Sequence, residues 1–242
     1  GCTITLAASS SCNMLQNASL TPLRSTSADA VVVSGNLTIT SATGNFTSAD
    51  VGRPLSVTHT SASSGSSAYG TIATINASTS VTITGYSILS QSGGVLNVFT
   101  RDADIVVRGG TWARGANGGV GFLQHSLRFR RVDNLLVENV TVTSTNGKYA
   151  INLADCTASM VRRVNFNTSS DGVHVDGPAS SISVMDVTGT TGDDAVAFTA
   201  SSGTGFISYR DTFGDISNVN IDRVTATSTG YGLKLTTGDG TT

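Results

Sequence analysis

Two short stretches of this chain carry the residue types for acid–base chemistry: SSDGVHVDGP, from Ser169 to Pro178, and GTTGDDAVAF, from Gly189 to Phe198. Each opens an apolar strand with aspartate, Asp171 in the first and Asp193 with Asp194 in the second. Only 12% of the residues are charged, so three acids in two similar turns require a reason. Brought together, three carboxylates cannot all ionise cheaply, and repulsion raises at least one pKa toward the range of a general acid. Glycoside hydrolysis uses such a set: one carboxylic acid protonates the leaving oxygen while another carboxylate activates water or attacks the sugar. Asp171, Asp193 and Asp194 are therefore the candidate catalytic residues. Two other readings stand beside this one. Aspartate before glycine is a common turn device, because its side chain caps nearby backbone N–H groups. An oxygen-rich quartet of Asp171, Asp176, Asp193 and Asp194 would suit Ca²⁺, but it lacks the dense Asp-x-Asp-x-Asp spacing, and no metal or cofactor is expected.

The elements that must position these acids show as a repeat. DIVVRGGTW, NLLVENVTV, SMVRRVNF, SISVMDVTG and NVNIDRVTA align at Val107, Val137, Val161, Val184 and Ile221. A second series, YAINL, DGVHV, DAVAF and GYGLKL, aligns at Ile151, Val173, Val196 and Leu233. Both series share a period near 23 residues, and both stretch to 37 at the same place, which puts an insertion between Val196 and Ile221. Matched strand series of this period, without helical segments, predict a solenoid whose coils stack in parallel. In that register Asp171 and Asp194 lie one rung apart, roughly 4.8 Å, with Asp193 alongside. Alternation sends Asn152, His174, Ala197 and Lys234 to one outward face, where solvent exposure is the ordinary expectation. His174 and Lys234 are candidate substrate-binding residues on it. Tyr209 and Arg210 join them from the insertion, whose aromatic residues Phe206, Tyr209 and Phe213 suit a ligand lid or a subunit contact.

The rest of the chain sets the frame. Gly, Ser, Thr, Asn and Val dominate, which favours strands joined by many turns. The expected fold class is all-β: a right-handed parallel β-helix preceded by a small antiparallel β module. Residues 1–30 read as an irregular segment with GCTITL as one strand, 31–100 as the small module, and 101–242 as the β-helix, continuing beyond the chain. A net charge of −2 gives no electrostatic reason to expect nucleic acid or an anionic membrane surface as partner. There is no apolar run long enough for membrane insertion and no signal-like segment after Gly1, so a processed or truncated start is expected. Cys2, Cys12 and Cys156 leave at least one thiol unpaired. Arg128 and Arg130 alternate with Leu127 and Phe129 and read as a solvated strand face. Trp112 and Tyr149, at strand ends, suit either stacking on sugar rings or filling a corner of the core.

The stretch SSDGVHVDGPASSISVMDVTGTTGDDAVAF, with FGDISNVNIDRVTATSTGYGLKL, resembles the pectate-lyase and polygalacturonase-like β-helix superfamily. In that group an Asn-Thr-Asp-Gly turn and a Gly-Asp-Asp turn carry the catalytic acids; Asp171 matches the first, Asp193 and Asp194 the second. The chain departs from the pattern at Thr204, where the family has histidine, and in its last strand, where Lys234 takes the arginine position and Thr236 the lysine position. NLTITSATGNFTSADVGRPLSV resembles the small β module that precedes the β-helix in bacteriophage tail-spike and tail-fibre proteins. The double resemblance implies a virion tail appendage that binds host cell-surface polysaccharide and in some members cleaves it. It further implies a homotrimer located on the virion tail and joined to other virion tail proteins. A secreted glycoside hydrolase or lyase acting on acidic polysaccharide, and a purely structural fibre or adhesin, are the alternatives.

Overall fold

The computed structural model describes residues 1–6, 12–60, 65–115, 124–200 and 212–237. Two short strands come first, β1 (Thr3–Thr5) and β2 (Leu15–Gln16). Six follow as β3 (Arg24–Val32), β4 (Thr38–Thr40), β5 (Pro54–Thr58), β6 (Ser66–Ala77), β7 (Ser80–Ser87) and β8 (Gln91–Val98). They close into an antiparallel barrel in the order β3-β4-β7-β6-β5-β8. The sequence predicts a small antiparallel module here; the structure starts it earlier, at Arg24, and closes it on itself, which leaves no free sheet edge. The FTSADVG phrase has a structural role. Thr47 caps a short 3-10 turn, Ser48–Asp50, and Asp50 returns the bond to the Thr47 backbone in a capping box. Arg24 then clasps both oxygens of Asp50, at 2.8 and 2.9 Å, tying the turn to β3.

The remaining strands are β9 (Asp102–Arg108), β10 (Thr111–Arg114), β11 (Leu127–Glu138), β12 (Thr141–Ser144), β13 (Tyr149–Thr168), β14 (Asp171–Thr191), β15 (Val196–Thr199), β16 (Ile216–Ser228) and β17 (Leu233–Thr236). With β1 and β2 they pair only in parallel, as a solenoid with three rows of stacked strands. One row runs β2, β11, β13, β14, β15, β17; a second runs β9, β11, β13, β14, β16; the third runs β1, β10, β12, β13, β14, β16. Both predicted registers hold, Val107–Val137–Val161–Val184–Ile221 and Ile151–Val173–Val196–Leu233. Apart from the exposed Leu233, their apolar side chains line one continuous core.

Long strands such as β13 and β14 bend around corners without leaving the ladder, and left-handed residues make the bends. Asp104, Asn134, Ala158, Ser181 and Asn218 all have positive φ and stack in one column; Asn139, Arg163, Asp186 and Arg223 do so in another. Asp and Asn tolerate this conformation better than most residues, which is one reason the corners are polar. Side chains bridge these columns from coil to coil, as in Arg163 to Asn139 at 2.7 Å.

The barrel docks on one flank of the solenoid. Tyr69 donates to Asp155 at 2.6 Å, Arg101 pairs with Asp155 and Asp133, each at 2.8 Å, and Tyr86 donates to Asp215 at 2.5 Å. The buried Arg131 guanidinium lies 3.4 Å from the centroid of Phe99. Burial corrects the sequence expectation for the outer face. Arg128 and Arg130 are 8% and 2% exposed, and Asn152, His174 and Ala197 are 0%, 4% and 0% exposed. Alternation fixes which way these residues point relative to the solenoid core. It says nothing of what another part of the chain lays over them. Trp112 falls in an inward column with Val142 and Phe166 and packs against the core. Among the described residues no helix is long and apolar enough to cross a membrane.

Phe166 is 1% exposed, and its ring abuts the Cα of Gly172, where an added Cβ would approach it to 2.8 Å. Phe166→Ala is expected to destabilise the chain by about 3–5 kcal/mol through lost burial and the cavity it leaves, read as a lowered urea midpoint at unchanged slope.

Candidate functional site

The two acidic turns sit one above the other because the backbone holds them there. Gly172 N–H donates to the Asp194 carbonyl at 2.9 Å and Val173 N–H to the Ala195 carbonyl at 3.0 Å. Glycine is required at both turns by close approach. A Cβ on Gly172 would come within 2.6 Å of the Ala195 carbonyl oxygen, and one on Gly192 within 2.4 Å of the Ser169 carbonyl oxygen. Gly230, on the next coil, backs directly onto the site: its Cβ would meet an oxygen of Asp193 and one of Asp194, each at 2.7 Å.

One carboxylate oxygen from each of Asp171, Asp193 and Asp194 lies within 4.8 Å of the others. The predicted acids are therefore brought together, and Asp176 is not part of this group. Their surroundings are unequal. Asp171 Oδ2 is 2.6 Å from His174 Nδ1. Asp194 Oδ2 is 3.0 Å from Lys234 Nζ, and its Oδ1 accepts the Tyr231 N–H at 3.0 Å. The Asp193 carboxylate accepts no hydrogen bond among the described residues. Asp171 and Asp194 are buried, at 2% and 1% exposure, whereas Asp193 is half-buried. Partial burial, then the charges of Asp171 and Asp194, push the Asp193 carboxyl above its ordinary value, against the pull of Lys234 and Lys148. The hydrogen bond to Asp194 holds the Lys234 ammonium above its own ordinary value.

His174 is placed differently from its expected role. Its Nδ1 faces Asp171, and its Nε2 lies 3.3 Å from Asp176 Oδ1 and 3.2 Å from Thr199 Oγ1. The Tyr149 ring stacks on it at 3.9 Å between centroids and 9° between planes, and His125 stacks on the far face of Tyr149 at 5.0 Å. Tyr149 is thus a buried member of this stack. Lys234, in register with Ala197, His174 and Asn152, keeps its side chain 42% exposed beside the acids. Tyr209 and Arg210, like Phe206, lie outside the described residues; Phe213 is buried and tilts against Tyr69 of the barrel.

Three residues take part in the site in ways the strand patterns did not suggest. Extending the second series toward its start aligns Tyr149, Asp171, Asp194 and Tyr231 in one column, and Lys148, Ser170, Asp193 and Gly230 in the next. Lys148 and Tyr231 thereby flank the acids. Tyr231 is 62% exposed, and Lys234 Nζ lies 5.7 Å from its ring centroid. Asp176, which the sequence suggests only within the metal-binding alternative, is the third: two residues after His174 on the same face, it partners that ring.

No protein-family model matches the chain, and no curated protein matches it. Among solved structures the chain is similar to the tailspike protein gp49 from Pseudomonas phage LKA1, at 15% identity and a TM-score of 0.49. The match covers 84% of this chain and 37% of that one, so the chain spans well under half the length of that protein.

A carboxyl held above its ordinary value stabilises the fold while it is protonated, and that contribution is lost as pH rises through the raised value. Asp193 therefore costs stability in the pH range above its ordinary 3.8. Asp193→Asn is expected to raise the thermal midpoint near neutral pH and to leave it unchanged at a pH low enough to protonate the wild-type group. Midpoints measured from about pH 3 to 8 check this; an equal effect at both ends would remove like-charge repulsion as its cause.

Proposed function

We propose that the chain is the polysaccharide-binding β-solenoid of a virion tail appendage and that its acidic cluster cleaves a glycosidic bond in the bound host glycan. The observation that carries this reading is the unequal equipment of three adjoining carboxylates. Asp193, raised and half-open, is the general acid that protonates the leaving oxygen. Asp171 has one oxygen held by His174, and among the described residues the other takes only a long contact from the Ser170 hydroxyl, 3.4 Å. It has lone pairs free to activate a water. Because Asp171 is buried, the polymer meets Asp193 and Asp171 acts through that water. Asp194, taken by Lys234 and the Tyr231 amide, maintains the local field. The exposed Tyr231 ring offers an amphipathic surface for a sugar beside the acids.

The match of the Ser-Asp-Gly and Gly-Asp-Asp turns to the β-helix polysaccharide enzymes supports the substrate class, and the resemblance of residues 36–57 to tail-spike modules supports the virion setting. In that setting the chain works as a homotrimer on the virion tail, bound to other tail proteins and facing host cell-surface polysaccharide.

A screen of bacterial surface polysaccharides, read for binding and for release of reducing ends, tests the proposal. Asp193→Asn is expected to lower turnover about 10²–10⁴-fold with binding retained, and Tyr231→Ala to weaken binding. A chain that binds glycan but releases no ends, unchanged by Asn at all three acids, is an adhesin. A chain that binds none of them overturns the reading.

A further inference from the structure

We infer that His174 is a positioning residue, held as an imidazolium between Asp171 and Asp176, that fixes the orientation and charge of Asp171 for the reaction. The inference rests on the glycan-cleaving reading above. It stands on geometry. The two ring nitrogens face Asp171 at 2.6 Å and Asp176 at 3.3 Å, on opposite edges of one ring. An ionised carboxylate only accepts hydrogen bonds, so a ring neutral at Nε2 could accept from the Thr199 hydroxyl, 3.2 Å away, but would turn that same lone pair toward the Asp176 carboxylate. Protonation at both nitrogens puts a positive N–H edge toward each carboxylate. Tyr149 presents its ring face to His174 at 3.9 Å, an arrangement that favours a cation. Asp176 is itself anchored from the coil below, where Asn152 Nδ2 donates to its Oδ2 at 2.9 Å. The order of contacts is thus Asn152 to Asp176 to His174 to Asp171, ending at the acidic cluster.

Charges from the neighbouring elements act in both directions. Burial of the ring opposes protonation and is the largest single influence, but the Asp176 charge and the hydrogen bonds to Asp171 and Asp176 outweigh it, and the ring is held above its ordinary value. Arg128 and Arg130 on β11 and Lys234 on β17 are the cations of the same outer face, and His125 lies beyond Tyr149. Burial first, then Arg128 and Arg130, press His125 well below its ordinary value, the opposite direction to His174 across the Tyr149 ring. His174 touches no part of a bound polymer: it is 4% exposed and lies behind Asp171. Its effect is to lock Asp171 Oδ2 and to balance the charge of Asp171, as Lys234 does for Asp194. Among the described residues no cation lies in ion-pair contact with the Asp193 carboxylate, although Lys234 and Lys148 act on its charge.

The chain has 3 histidines, which makes a direct test simple. Long-range ¹H–¹⁵N spectra of the free, ¹⁵N-labelled protein resolve the protonation state of each ring, with His59→Asn to assign the His59 signal. His174 is expected to carry protons on both nitrogens at pH 6.5 and to titrate above that pH. Asp176→Asn is expected to lower its midpoint by about one pH unit or more. A neutral His174 ring at pH 6, or a midpoint that Asp176→Asn does not move, overturns the inference. On the polysaccharide found in the screen, His174→Asn keeps a donor toward Asp171 but carries no charge. It is expected to lose on the order of 100-fold in kcat with KM little changed; full activity in that variant also overturns the role. The two readings fail separately. A neutral ring in a chain that still cleaves removes the positioning role alone, whereas an imidazolium in a chain without turnover removes the cleavage reading and the role with it, leaving a charged triad that serves the fold.

Discussion

Parallel backbone pairing between successive coils is the constraint on which this molecule depends. Each coil lies one interstrand spacing above the last, so a residue's neighbours in space are fixed by its column. The bonds from Gly172 to Asp194 and from Val173 to Ala195 place two acidic turns together although more than twenty residues of chain separate them. Shifting that ladder by one residue would exchange inward and outward side chains along the row. The apolar columns oppose such a slip, because Ile151, Val173 and Val196 would all leave the core together.

The same stacking that fills the core concentrates charge on its outside. Side chains stacked one coil apart bring charges close together, and each buried carboxylate must find its compensation locally. The chain answers in three ways. Glu138 gathers Arg108, Arg162 and Arg163 around one buried carboxylate. Asp133 and Asp155 share Arg101 at the junction with the barrel. In the acidic turns, His174 and Lys234 serve two of three carboxylates and leave the third raised. The first two arrangements close the electrostatic demand. The last leaves it partly open, which is what a proton donor requires.

Much of this is legible in the amino-acid sequence. Residue spacing alone carries the two strand registers, the place of the insertion and the adjacency of Asp171, Asp193 and Asp194, because in a parallel stack linear period and vertical neighbourhood are the same quantity. Tyr149, Lys148 and Tyr231 are legible too, if the columns are followed one or two residues further toward their start. The burial of Arg128, Arg130, Asn152 and His174 is not. Alternation distinguishes the inside of the solenoid from its outside, and an outer position is solvated only if nothing else packs there.

Sequence by itself determined the coil: apolar residues at a fixed period can be buried together in one way, and turn residues mark where the chain must bend. Tertiary structure decided the closure of the barrel, its docking through Tyr69, Tyr86 and Arg101, and the pairing of His174 with two aspartates. These depend on contacts between side chains from non-repeating parts of the chain, and on the burial that strengthens them. Periodicity is a property of one strand series and its repeats, whereas the surroundings of a charge belong to every element that comes near it.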